Sequence, residues 1–358
     1  MKRLICLVLM VLAITAHAKA ADIPKDLSDA LPEGAEELLK DTDFSDTGGF
    51  TGGASRILGK IGGQVQDILH QRVQGAASVL LVVVLCGAVE GFYQGTRGKP
   101  MPFLPMVGAL SVTLVTAGSL DTLIGLGSST MEDLSSFSQV LLPTLAAATA
   151  ASGALTTATF QQVTTVFLVD VFLRLVNGVL MPLVYLYIGA LTASTCLPDG
   201  RLGAVAGGLK KAVTWLLTTP LIAFTVYLSV VRVVSGSADS TRVKVAKAAI
   251  ASAVPVVGGI ISEVSETVLA GAGMLKNTIG VFGMLAVLAA CVYPFLQLGI
   301  QYLLYKLTAF LASAVGAPGL CKLIDGLGGA FGLVLGMTGA CALLLLVSIL
   351  ASVSAVTP

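Results

Sequence analysis

Long apolar runs dominate the chain, and their lengths set its architecture. Leu4–Ala16 is apolar except for Thr15 and follows the basic pair Lys2-Arg3. It is shorter than the roughly 20 residues that a membrane span needs. Ala16-His17-Ala18 and Ala18-Lys19-Ala20 fit the small-x-small cleavage pattern, so residues 1–20 read as a cleavable signal peptide. Downstream, Ala76–Tyr93, Phe103–Leu126, Val163–Cys196, Ala212–Val234, Ile279–Leu304 and Leu327–Val356 have the length and hydrophobicity of spans. Val163–Cys196 is long enough for a helical hairpin, with Asn177-Gly178 as its turn. Phe137–Ala151 is a weaker Ala/Thr-rich run, Ala246–Ile261 is interrupted by Pro255, and Leu307–Val315 is too short to cross alone. The expected fold is an all-α polytopic membrane protein of about 7–8 transmembrane helices plus partial or re-entrant helices.

Composition agrees with the pattern. The 358 residues are 55% hydrophobic and only 11% charged, whereas soluble domains carry about 25% charged residues. Mean hydropathy is +0.92. A soluble monomer is excluded, as are collagen-like, disordered and disulfide-scaffold classes. A net charge of +1 gives no bulk attraction to nucleic acid, which is not expected as a partner.

The charges are unevenly placed. Residues 21–75 hold Asp22, Asp26, Asp29, Glu33, Glu36, Glu37, Asp41, Asp43, Asp46 and Asp67, half of the chain's 20 acids. That shift divides the chain into the signal peptide, an acidic extracytoplasmic segment at 21–75, and a polytopic domain at 76–358. Within 21–75, Gly48-Gly49 and Gly52-Gly53 read as a flexible joint. From Ser55 onward, Ile57, Leu58, Ile61, Val65, Ile68 and Leu69 recur at three and four, the spacing of an amphipathic helix. Such a helix either lies on the membrane surface or a partner, or extends the first span.

Basic loops orient the spans. With the N-terminal segment outside, the first span ends inside at Arg97 and Lys99, and the loop 127–136 with Glu132 and Asp133 lies outside. Arg201, Lys210 and Lys211 mark a second inside loop. Arg232, Arg242, Lys244 and Lys247 break the alternation unless Ala212–Val234 is a re-entrant segment broken at Thr218-Thr219-Pro220.

Several chemistries lack their residues. After cleavage one histidine remains, His70, which excludes a multi-histidine zinc site and a Ser-His-Asp triad within the membrane. No metal, cofactor or catalytic residue is expected. The six cysteines form no Cys-x-x-Cys pair and read as small apolar residues. Gly53–Ile61 has five residues between its outer glycines and Ile61 in place of a hydroxyl, so it is not a phosphate loop. The chain carries no ATPase motif.

The candidate chemistry is intramembrane. A charge at mid-bilayer costs about 2.5–3.5 kcal/mol, which singles out Glu90, Asp121, Asp170 and Arg174. Asp170 and Arg174 share one helix face and pair there, with both expected to face the bundle interior. The pair reads as a polar point on a solute path, a subunit contact or an internal salt bridge. Glu90 and Asp121 lie nearer span ends and read as wetted interface residues or as ion carriers. Gly87, Gly91 and Gly95, and again Gly328, Gly332 and Gly336, recur every four and form flat stripes for close helix contact, within the chain or with another. Pro255 and Gly258-Gly259 interrupt an apolar run ahead of Glu263 and Glu266, which fits either a transporter-like midplane break or a structural kink.

Val254-Pro255-Val256-Val257-Gly258-Gly259, with Ser262-Glu263 and Glu266-Thr267-Val268, resembles the stage III sporulation protein AE family. Arg174-Leu175-Val176-Asn177, then Met181-Pro182-Leu183 and Tyr185, is similar to that family's middle region. The resemblance implies a non-enzymatic, permease-like subunit set in membrane lipid, in the mother-cell membrane around the forespore. It implies partners from the same sporulation operon, including a separate ATPase and ring-forming proteins, and a forespore membrane protein across the intermembrane space. The implied assembly is a channel or secretion-like conduit needed for late forespore development. The alternative is an independent secondary transporter for a small solute, which would carry flux without partners.

Overall fold

The computed structural model describes residues 23–32, 34–39, 44, 47–97, 103–153, 165–197, 202–227, 258–315 and 318–354. Every element among them is helical. Three N-terminal helices come first: α1 (Lys25–Asp29), α2 (Ala35–Leu39) and α3 (Thr47–Gly62). Two long helices follow, α4 (Val65–Arg97) and α5 (Leu104–Ala151). Next comes α6 (Val166–Leu175), a π-helical turn (Val176–Leu180) and α7 (Met181–Cys196). The helix α8 covers residues 202–227. The chain ends with α9 (Gly258–Ser313) and α10 (Pro318–Val353). The signal peptide falls outside the described residues, as do Pro255 and the basic residues from Arg232 to Lys247.

Local chemistry explains the boundaries. Pro105 sits in the first turn of α5, where a missing N–H costs nothing. At the far end of α5, Gly153 takes φ +93°, a left-handed exit that glycine adopts without strain. Gly34 turns the chain between α1 and α2 at φ +78°. Hydroxyls inside the helices bond back to carbonyls four residues earlier, as Thr116 does to Val112 and Ser348 to Leu344. That local bond hides a polar group without needing a partner helix.

The bundle core is an α9–α10 hairpin with α5 laid along it. Close approaches fix the register. Gly108 of α5 lies against Leu320 of α10, and Gly127 against Val334, so these two helices run parallel. Tyr305 of α9 meets Thr116 of α5, and Leu141 of α5 meets Gly283 of α9, so α9 runs antiparallel to both. α4 flanks α9, with Arg72 near Gln297 and Gly87 against Val315. α7 closes the other side through Tyr187 and Leu191 at Gly326. α8 lies along α10, Lys210 beside Gly329 and Leu217 beside Gly336.

Glycine makes the central contact. A carbon added at Gly328 would sit 3.1 Å from Tyr305, at Gly332 3.0 Å from the Tyr302 ring, and at Gly339 3.0 Å from Phe295. Aromatic side chains of α9 therefore enter slots on α10 that glycine leaves open. The stripe at Gly328 and Gly332 packs within the chain. Gly87 likewise packs on Val315, whereas Gly91 faces open space. The side chain surroundings of Gly95 lie outside the described residues.

Five helical segments among the described residues are long and apolar enough to cross a membrane: Val65–Tyr93, Leu104–Ala151, Val166–Cys196, Ala270–Ser313 and Pro318–Val353. The larger count from sequence split helices that are continuous. Residues 103–126 and 137–151 belong to one helix of 48 residues, and 127–136 is no loop. Met131, Leu134, Phe137, Ser138 and Leu141 carry the buried face straight through it. Residues 166–196 form one helical run, because Asn177-Gly178 lies in a π turn instead of a hairpin turn. α8 passes through Thr218-Thr219-Pro220 unbroken, so that stretch is not re-entrant. Leu307–Ser313 is the end of α9, and Gly48-Gly49 and Gly52-Gly53 lie inside α3.

Helix length then divides the bundle. At 1.5 Å per residue α5 is about 72 Å long and α9, with 56 residues, about 84 Å. A hydrocarbon core is about 30 Å thick, so roughly half of each helix projects beyond it. Around the ends marked by Phe92, Phe103 and Phe310, the outward faces are apolar: Leu85, Val89, Leu110, Leu114 and Leu307 are exposed. In the other half, α2 and α3 pack on α9 and α1 on α5, with Leu27, Ala35, Ile57 and Ile61 buried. Phe44 meets Phe282 edge-on at 5.3 Å there.

Replacing Gly332 by Leu would drive a side chain into Tyr302, an overpacking cost of about 1–3 kcal/mol. Gly91→Leu meets nothing. Thermal denaturation of both variants in detergent should show a clear loss for the first and near wild-type stability for the second.

Candidate functional site

The Asp170–Arg174 pair forms as its spacing requires, with Nε to Oδ2 at 2.8 Å. It does not face the interior. The Arg174 side chain is 78% exposed and that of Asp170 is 32% exposed. Asp170 stands one turn from the start of α6, so the pair caps the end of the membrane-length segment Val166–Cys196 instead of crossing its middle. Asp121 is exposed on α5, and Glu90 is half-buried on α4. Thr113 of α5 bonds Thr192 of α7 at 3.2 Å. Continuing that antiparallel register puts Asp121 level with Tyr185 and Glu132 level with Arg174. The four charged candidates are thus spread over the bundle and converge on no common point. Gly258, Gly259, Glu263 and Glu266 stand in the opening turns of α9, and the environment of their side chains lies outside the described residues.

The polar groups that do converge were hidden in an apolar run. On α9, Gln297, Gln301, Tyr305 and Thr308 fall on one face at steps of four, four and three. Their exposures are 6%, 1%, 1% and 5%. From α4, Arg72 Nη2 donates to Gln297 Oε1. Gln301 bonds the Tyr305 hydroxyl. Tyr305 Oη donates to Thr116 Oγ1 at 3.0 Å, and its ring meets Phe331 edge-on at 5.3 Å. Thr116 Oγ1 in turn donates to the Val112 carbonyl at 2.8 Å. Four buried side-chain atoms keep no hydrogen-bond partner among the described residues: Arg72 Nε, a donor, and Gln301 Oε1, an acceptor, at the seam, with Thr165 Oγ1 just before α6 and Asn177 Oδ1 in the π turn.

A cavity of about 410 Å³ opens one turn beyond Gln297. α2, α3 and the turn after it, α5 and α9 line it, through Lys60, Gln64, Ser129, Thr130, Tyr293 and Pro294 among others. Lys60 is held by Glu37 at 2.8 Å on its rim. Pro294 has no N–H, so the carbonyl of Ala290, another wall residue, loses its intrahelical donor. The cavity wall residues Tyr293 and Pro294 stand one helical turn before Gln297 on α9.

Sequence reading missed this site for identifiable reasons. Arg72 was grouped with the acidic segment by the charge shift, although α4 runs from Val65 through residue 75 into the span. Gln297 and Gln301 lie inside the apolar run Ile279–Leu304, and Tyr305 and Thr308 just past its end, so hydrophobicity alone does not single them out. Their 3–4 periodicity was the available signal.

Near the opposite end, Lys306 pairs with Asp325 at 2.5 Å and lies 5.7 Å from the Tyr302 ring centre. Among the described residues no group of three or more His, Cys, Asp or Glu is placed to hold a metal.

Residues 52–356 match the family model described as stage III sporulation protein AE. A relative named "Stage III sporulation protein AE" from Bacillus subtilis (strain 168) is 23% identical over 255 residues. The alignment covers 69% of this chain, which spans 62% of that protein's length. No solved structure matches the chain.

The two ion contacts differ in environment. A hydrogen bond to a charged group in partial burial contributes about 1.5–3 kcal/mol, and an exposed pair about 0–1 kcal/mol. Double-mutant cycles should therefore give clear coupling for Arg72→Leu with Gln297→Leu, and little for Arg174→Gln with Asp170→Asn. Denaturation in detergent measures both.

Proposed function

The chain belongs to the stage III sporulation protein AE family, and from that premise we propose that it is a non-enzymatic membrane subunit of a conduit between mother cell and forespore. The observation that carries this reading is the family match over nearly the whole chain, on a bundle of membrane-length helices. Sporulation is what the family name states. The conduit, its mother-cell membrane location and an outward-facing N-terminal segment are the proposal.

Physical features support a subunit over a self-powered machine. The phosphate-loop-like stretch Gly53–Ile61 is defective, so energy would come from a separate ATPase. The acidic N-terminal helices sit on the part of α5 and α9 that projects beyond one bilayer thickness. That is a suitable place to meet ring-forming partners and a protein of the facing forespore membrane. Exposed charges on α5 and α6, at Asp121, Glu132 and Arg174, suit contact with another subunit better than contact with lipid.

Deleting the gene in its own host tests the reading. Spore formation should arrest after engulfment, with heat-resistant spores restored by the wild-type gene in trans. Normal spores from the deletion strain would remove the proposal.

A further inference from the structure

We propose that the cavity between the N-terminal helices and the bundle is a binding site for a small organic cation, a primary alkylammonium ion. The antiparallel register that pairs Thr116 with Tyr305 and Leu141 with Gly283 sets Thr130 of α5 level with Tyr293 and Pro294 of α9. α2 and α3 close the third side through Glu37 and Lys60. Ile61, Thr130, Ala290 and Pro294 form a buried floor, whereas Glu37, Lys60 and Gln64 are exposed at the rim. The site therefore opens to water, where the N-terminal helices pack on α5 and α9.

Hydrogen bonds along the walls leave a surplus of acceptors. Ser129 Oγ and Thr130 Oγ1 both donate to the Leu126 carbonyl, at 3.1 and 2.7 Å. With its one proton committed, each hydroxyl meets the cavity as an acceptor only. The Ala290 carbonyl adds lone pairs, because Pro294 withholds its helical donor. Asp133 adds a carboxylate, which accepts at more than one position. Lys60 turns its ammonium to Glu37, 2.8 Å from the carboxylate and 3.5 Å from the backbone carbonyl. Gln64 and Tyr293 each bring an acceptor along with their donors, so the surplus stands. Among the described lining residues the charge is also negative, Glu37 and Asp133 against Lys60.

The occupant that answers these walls donates hydrogen bonds and carries positive charge. A primary ammonium does both, with three N–H groups on one centre. An anion would face two carboxylates, and a neutral alcohol would bring one donor without charge. Size decides between an organic and an inorganic cation. About 410 Å³ falls in the range of small-molecule pockets, roughly 300–1,000 Å³, and far exceeds one metal ion. Among the described residues no three His, Cys, Asp or Glu are grouped to coordinate a metal. Leu38, Ile61, Leu126 and Ala289 supply apolar wall for an alkyl chain. The site does not rest on the conduit reading, because the purified chain alone is tested.

The full chain in detergent is titrated with n-butylammonium chloride in a calorimeter, with n-butanol, sodium butyrate and magnesium chloride as comparisons. Wild type should bind the ammonium ion saturably and none of the other three. Asp133→Asn removes a charge at nearly constant shape and should weaken binding about tenfold or more. Ser129→Ala deletes one acceptor at an exposed position and should weaken it about threefold, which covers a failure of the first variant to fold. Lys60→Gln removes the opposing positive charge and should tighten binding about threefold. Absence of saturable n-butylammonium binding overturns the site, as does binding that n-butanol, butyrate or magnesium matches. Binding that stays at the wild-type level in folded Asp133→Asn or Ser129→Ala protein overturns it too. Weaker binding to Lys60→Gln overturns the role given to charge.

Discussion

The aromatic side chains of α9 seated in the glycine slots of α10 are the constraint on which the rest of the bundle depends. With each residue turning a helix by 100°, Tyr302 and Phe295 point about 140–160° away from Gln297, and Tyr305 points between the two directions. Fixing Tyr302 and Phe295 in the gaps at Gly332 and Gly339 therefore fixes where the other faces look. Gln297, Gln301 and Thr308 turn toward α4 and α5, where Arg72 and Thr116 meet the seam. A side chain at Gly332 would rotate or displace α9, and the polar row would lose its partners. Packing in this fold thus decides hydrogen bonding.

The same contact makes the length of the helices tolerable. An isolated helix of 56 residues would bend or fray, but α10 lies along α9 from Gly280 onward, α5 flanks it from Gly283 to Tyr305, and α2, α3 and α4 also pack on it. Its two interruptions are handled locally. Pro294 leaves the Ala290 carbonyl without its helical donor at a point where both residues line a cavity. The π turn at Val176–Leu180 in the α6–α7 run widens the helix by one residue and lets the buried face resume at Leu180, Met181 and Val184.

The membrane class, the apolar segments, the α10 glycine stripe and the Asp170–Arg174 spacing were legible, since each depends on composition or on a period within one helix. Continuity was not. Glu132 and Asp133 looked like a loop because charge was read without its face. In the structure Glu132 is exposed while Met131 and Leu134 are buried, so the charge costs the helix nothing. Asn177-Gly178 signals a turn where the chain must reverse, but the neighbours of α7 keep it straight. The orientation of Arg174 depends on which side α5 and α10 occupy, a tertiary fact that no single-helix period contains.

Polar groups in this bundle fall into two sets, and the separation bears on how transport would be organised. Asp121, Glu132 and Arg174 are exposed on α5 and α6, and Arg174 is paired there with Asp170 of its own helix. Arg72, Gln297, Gln301, Tyr305 and Thr116 point inward and are satisfied, save two atoms, within the chain. A wide conduit formed between subunits would use the first set, because large cargo needs space that a packed bundle lacks. The second is packed within one bundle and fixes how α4, α5 and α9 meet. The two sets share no residue, one being exposed and the other buried, so changes in one need not alter the other.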